Sequence, residues 1–124
     1  MALTNAFRDF TATKVSLGTG TNFDNTNAHI GVGNGTTAFA ASQTDLVGGS
    51  KFRKVMDSTY PQVAANVITF RATFGTSEAN FAWEEWGVFN HASTGVMMNR
   101  VVANNGTKAN TETKVVTVQI TLSV

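Results

Sequence analysis

Asn80-Phe81-Ala82-Trp83-Glu84-Glu85-Trp86-Gly87-Val88-Phe89-Asn90 holds both tryptophans of the 124-residue chain, two of its nine phenylalanines and an adjacent pair of carboxylates. Read as a strand, the segment alternates its side chains between two faces. Phe81, Trp83, Glu85, Gly87 and Phe89 share one face, and Ala82, Glu84, Trp86 and Val88 the other. Neither is a plain solvent face. Gly87 and Asn90 argue against a long helix. Burying an indole removes roughly 150–250 Å² from water, an upper bound of about 4–6 kcal/mol per ring at ~25 cal/mol/Å². A strand apolar on both sides needs the core on one face and a loop, a second sheet or another subunit on the other. One of Trp83 and Trp86 is therefore expected to be buried, and the other to lie under a loop or near a subunit contact.

The segments around this centre read mostly as strands. Residues 66–74 give the clearest, with Ile68, Phe70, Ala72 and Phe74 on a buried face and Val67, Thr69, Arg71 and Thr73 on a wetter one. The turn at residues 75–79 suggests that this strand pairs antiparallel with the aromatic one. Residues 28–33, 50–60 and 96–102 are shorter candidates, and Pro61 breaks the second. Residues 114–124 alternate strictly, as a half-buried strand does. Residues 36–49 read as a loop with one helical turn, pegged by Phe39 and Leu46.

At the amino terminus, Leu3, Phe7 and Phe10 have helical spacing while residues 11–17 read better as a strand. The expectation is an extended arm, followed by a Gly/Asn loop through residue 27. About six short strands without a long amphipathic helix predict an all-β chain, an antiparallel β-sandwich with a small β-barrel as runner-up. Residues 1–124 are expected to form one β domain, with 1–27 as arm and loop and 28–124 as sandwich core.

Composition narrows the function. Charged residues make up 14% of the chain, against about 25% in average domains. The formal net charge of +1 supplies no basic field for nucleic acid and no polybasic membrane anchor. Absence of cysteine removes disulfides, thiol catalysis and Cys-ligated zinc. No run approaches the ~20 apolar residues of a membrane helix. Residues 1–8 lack the basic and apolar regions of a signal peptide, so synthesis in a cytoplasm is expected.

Glu84 and Glu85 suggest paired-carboxylate chemistry, but neighbours on a strand project to opposite faces and cannot flank one bond. The alternative is a buried or half-buried pair between one glutamate and Arg71, Arg100 or an arginine of a neighbouring subunit. His29 and His91 lie far apart in sequence and nominate no metal site. Asp24-Asn25-Thr26-Asn27 lacks the spacing of a calcium loop. Gly31-Val32-Gly33-Asn34-Gly35 lacks the Lys-Ser/Thr of a phosphate loop and reads as a tight turn. Lys51, Arg53 and Lys54 form a small basic cluster, read as a solvated strand edge that can contact an acidic neighbour. No catalytic residue, cofactor or metal ligand is nominated. The residues expected at a core or an interface are Phe7, Phe10, Lys51, Arg53, Arg71, Trp83, Glu85, Trp86 and Arg100.

Several separated pieces carry a resemblance together: residues 28–38 (Ala-His-Ile-Gly-Val-Gly-Asn-Gly-Thr-Thr-Ala), Gln43-Thr44-Asp45-Leu46, residues 70–76 (Phe-Arg-Ala-Thr-Phe-Gly-Thr), the aromatic strand through Asn90, Met97-Met98-Asn99-Arg100 and Ile120-Thr121-Leu122. In this order they resemble a group of small structural proteins of tailed bacteriophages, over about residues 28–123. The resemblance implies an all-β virion component without enzymatic activity. It is either a head decoration (cement) protein, bound to the major capsid protein and to copies of itself, or a tail, baseplate or fibre-attachment part bound to other tail proteins. The resemblance implies the virion without telling head from tail; the low charge, the absent cysteine and the lack of a long fibrous segment favour the capsid surface. A reading of another class is a carbohydrate-binding β-sandwich in which Trp83 or Trp86 stacks on a sugar ring.

Overall fold

A computed structural model of the chain describes residues 2–123. Met1 and Val124, the last residue of the expected terminal strand, lie outside the described residues. The described residues are mostly β, with two antiparallel sheets and one short helix. The helix α1 (Asn5–Leu17) is followed by strands β1 (His29–Gly33), β2 (Lys51–Val55), β3 (Gln62–Ala64), β4 (Val67–Phe74), β5 (Glu85–Phe89), β6 (Val101–Val102) and β7 (Lys114–Thr121). One sheet runs β2-β1-β5-β6 and the other β3-β4-β7. None of the described residues forms a helix long and apolar enough to cross a membrane.

The amino-terminal segment corrects an expectation. Residues 11–17 alternate β-branched and other side chains, yet they are helical, because the segment has a stop signal at each end. Thr4, in extended conformation, accepts the Phe7 N–H on its hydroxyl at 3.1 Å. Gly18 closes the helix at φ 70°, where a side chain would be strained, and donates its N–H to Lys14 O. The Thr4 hydroxyl also donates to Met97 O at 2.5 Å, which ties the helix start to the strand region. Phe7 is buried and packs with Phe10 and Phe23, the ring centres lying 5.4–6.2 Å apart. The helix thereby rests on one aromatic trio near its start.

The pairing of β4 is a second correction. β4 does not pair with the aromatic strand that follows it. It pairs along its whole length with β7, from Val67 opposite Thr121 to Phe74 opposite Lys114. β5 pairs instead with β1 and β6 in the other sheet. The two sheets face each other through Phe70, Ala72 and Phe74 of β4, Val118 and Ile120 of β7, Ile30 and Val32 of β1 and Val88 of β5, all buried in one cluster. The approach is closest where β1 and β2 lie over β4.

The regular part of the aromatic segment starts only at Glu85, so the alternation expected from Phe81 onward does not hold across residue 84. Trp83, expected on the face of Glu85 and Phe89, turns into the core between the sheets. It meets Phe74 edge-on at 5.0 Å and donates its indole N–H to Ala79 O. Within β5 the alternation holds. Trp86 and Val88 face the main core, and Phe89, on the other side, packs with Leu46 and Met97 in a second small cluster. Only Val101 and Val102 of the expected strand over 96–102 are regular, with an isolated bridge from Met97 to Phe89.

Candidate functional site

The outer face of β5 is organised by a charge. Glu85 and Arg100 are both fully buried, and Arg100 Nε donates to Glu85 Oε2 at 2.7 Å. The other donors come from the backbone of the loop between β1 and β2. Gly35 N reaches Oε1 at 3.2 Å, Gly48 N reaches Oε1 at 2.8 Å and Val47 N reaches Oε2 at 3.1 Å. Four donors occupy a carboxylate's roughly four acceptor positions. Two glycines make the approach possible: a Cβ on Gly33 would collide with Glu85 Oε1, and one on Gly35 would lie 2.7 Å from it. The glycine run thus serves as an anion cradle of the kind used for phosphates, and the anion it holds is the chain's own glutamate. Sealed from solvent and fully engaged, Glu85 has nothing to offer a substrate.

Arg100 extends the hub. Its Nη1 donates to Gln43 Oε1 at 3.1 Å, while Nη2 is buried without a partner among the described residues. Asn99 beside it accepts the Val88 N–H on Oδ1. Glu84, just before β5, is half-buried and takes no part in the Glu85–Arg100 hub.

The basic cluster lies on β2, an outer strand of its sheet, and its charges meet acidic groups of the same chain. Asp45 accepts from Lys51 Nζ at 2.7 Å and from Arg53 Nη2 at 3.1 Å, and Lys54 meets Glu78 at 2.7 Å. Arg53 also lies 3.6 Å over the Phe89 ring and donates to the His91 and Thr94 carbonyls, stapling the loop after β5. Burial alone would raise the Asp45 carboxyl, but hydrogen bonds from Lys51, the Leu46 N–H and Arg53 outweigh it and hold it below the usual carboxylate range. Glu78 is lowered first by its hydrogen bond from Lys54 and then by the Gly75 N–H. Arg71, the other arginine considered for Glu85, pairs with Asp57 at 2.9 Å and stacks on Tyr60. His29 and His91 are each engaged locally, with Asn27 O and with the Ser93 and Thr94 N–H groups.

Trp86 occupies a different environment. It is half-buried at a groove of about 690 Å³ between the two sheets, with Val32 on its own sheet and β7 opposite. β7 is the outer strand of its sheet, with β4 as its neighbour. Leu122 N donates to Asn66 O, which fixes the ladder's phase. Residues 114, 116, 118 and 120 direct their main-chain groups at β4, and Val115, Thr117, Gln119 and Thr121 direct theirs outward.

Of the residues nominated from sequence, the structure joins Glu85 with Arg100, and Phe7 with Phe10. Lys51 and Arg53 meet at Asp45. Trp83 and Trp86 both belong to the core side but separate into a buried and a half-buried position. Asp45, Glu78 and the backbone donors around Glu85 were not nominated, nor was Lys108, which is buried and donates to Asn80 Oδ1 at 2.7 Å. For Asp45 a signal existed in its closeness to the basic cluster. The backbone donors have no side-chain signature at all. No protein-family model and no curated protein matches the chain.

Proposed function

We propose that the chain is a structural protein of a tailed-bacteriophage virion. In this reading it is a β-sandwich decoration (cement) protein made in the host cytoplasm, which binds the major capsid protein lattice and copies of itself and stabilises the head. It performs no catalysis and needs no cofactor or metal. The observation that carries the reading is where the apolar and charged side chains are spent. Charges go largely into internal pairs, while Val15 and Leu17 of the helix, Val63 of β3 and Val115 of β7 are 81%, 74%, 71% and 60% exposed. A small chain with bare valines on its helix end and on both outer strands of one sheet has the surface of a protein that completes itself against neighbours.

Mass spectrometry and antibody labelling of purified particles test the proposal. Label over the heads is the expected result. Label confined to tails would replace decoration by the tail or baseplate alternative, and absence from particles would remove the virion reading. A carbohydrate-binding module is the second reading, favoured by Trp86 lining a groove together with Asn105 and Gln119. Glycan-array binding that disappears in Trp86→Ala with the fold intact would establish it over the first.

A further inference from the structure

β7 is a long outer strand with few of the usual protections among the described residues. Lys114 is the sole charge in Lys114–Thr121, and the strand contains no proline. Unguarded edges of this kind take up another strand. The outward groups of Val115, Thr117, Gln119 and Thr121 provide four N–H donors and four carbonyl acceptors at the spacing a second β-strand requires. Beside them lies the groove that leaves Trp86 half-buried, where the two sheets are not closed over each other.

We propose that a second copy of this chain occupies that edge, β7 pairing antiparallel with β7 about a twofold axis at Val118. The proposal rests on the reading that copies associate, and it names the surface through which they do. Three features favour this occupant over a strand of another protein. In this register Thr117 lies opposite Gln119 and Val115 opposite Thr121 on the outer face, while Val116 meets Ile120 on the inner face. The two Lys114 side chains go to opposite ends of the joint, each facing Leu122, so no like charges meet. A shift of two residues in the pairing sum would set Lys114 against Ile120, inside the apolar stretch. Finally, a twofold joint is reciprocal: each copy covers the other's open side, so one contact closes two grooves.

The test is sedimentation equilibrium on the purified full chain at micromolar concentration, with three proteins. The wild type is expected near twice the chain mass of 13.2 kDa. T117K/Q119K places lysines opposite one another twice per joint and is expected to weaken association roughly tenfold or more. T117K/Q119E places lysine opposite glutamate and is expected to keep the dimer. Both positions are exposed, so circular dichroism should show all three equally folded. A monomeric wild type, or a lysine pair variant that associates as the wild type does, overturns the proposal. A swap variant that stays monomeric overturns the register. These results leave the virion proposal standing or falling separately, since that is decided by the protein's presence in particles.

Discussion

Glu85 and Arg100 meet at 2.7 Å with neither side chain reaching solvent, and through them the loop of residues 34–48 is fixed to β5. A buried pair is costly to desolvate, so its presence alone says little about net stability; breaking it is another matter, because one charge is left buried. Arg100→Met is expected to cost about 3 kcal/mol, roughly 10 °C in Tm. Adding Glu85→Gln should recover part of the loss, because the orphaned charge is then gone. Denaturant unfolding of both singles and the double gives the coupling. Strictly additive losses would show that the pair does not act as a unit.

The cradle makes a steric prediction that does not depend on charge. Gly33→Ala sets a methyl against the Glu85 carboxylate, and the approach is fixed by ladder pairing on both sides of β1. A loss of about 1–3 kcal/mol is expected. Gly49→Ala is the control, since a Cβ there meets nothing within 4 Å and its backbone is not in the left-handed region. Its stability should stay within about 1 kcal/mol of wild type or rise. Equal losses at the two glycines would mean that the cradle is not what Gly33 is for.

Asp45 and Glu78 set a direction for acid stability. Both carboxyls are held below their ordinary range in the folded chain, so the unfolded chain takes up protons first as pH falls. Their contribution is complete above the ordinary carboxylate value of ~4 and is lost as pH drops through the lowered folded values. Each pair is partly exposed, so the effect is below about 1 kcal/mol. Lys54→Met removes the largest cause of the Glu78 shift and should flatten the fall of Tm between about pH 5 and pH 3, the carboxylate window. An unchanged acid slope in that variant would dissociate Glu78 from acid stability.

What was legible in the sequence follows from locality. The Glu85–Arg100 pair was among the arginine pairings expected, because a carboxylate within an aromatic strand needs a cation across the sheet and Arg71 and Arg100 were the ones considered. The phase of Trp83 was not legible, because alternation extrapolates only within a regular strand and β5 begins two residues later. The helix was hidden by β-branched residues at 11, 13 and 15, although Thr4 and Gly18 are the caps that decide it. The partner of β4 was misjudged by favouring the nearest segment in sequence. The matched eight-residue lengths of β4 and β7, each with one apolar face, were the better guide.

The two tryptophans should differ in what they cost to remove. Trp83 is 5% exposed, packs on Phe74 and spends its indole N–H on Ala79, so Trp83→Ala is expected to cost about 3–5 kcal/mol. Trp86 faces the groove and loses less area from burial, so Trp86→Ala should cost clearly less in the isolated chain. Thermal unfolding of both variants orders them. The reverse order would mean that the groove is closed within a single chain.

The exposed end of α1 separates folding from attachment. Val15 and Leu17 lie beyond the Phe7, Phe10 and Phe23 trio that seats the helix, and at 81% and 74% exposure they contribute little to the chain's own core. V15S/L17S should therefore shift stability by no more than about 0.5 kcal/mol. If these side chains dock on a capsid neighbour, burying two aliphatic groups there is worth about 1.5–3 kcal/mol each, so the double variant should lose at least tenfold in affinity. Co-sedimentation with capsids lacking the protein measures this directly. Phe7→Ala, which loosens the helix at its seat, should lower Tm and attachment together, whereas V15S/L17S should lower attachment alone. Full attachment by V15S/L17S would remove the helix end from the capsid contact and leave the sheet edges to carry it.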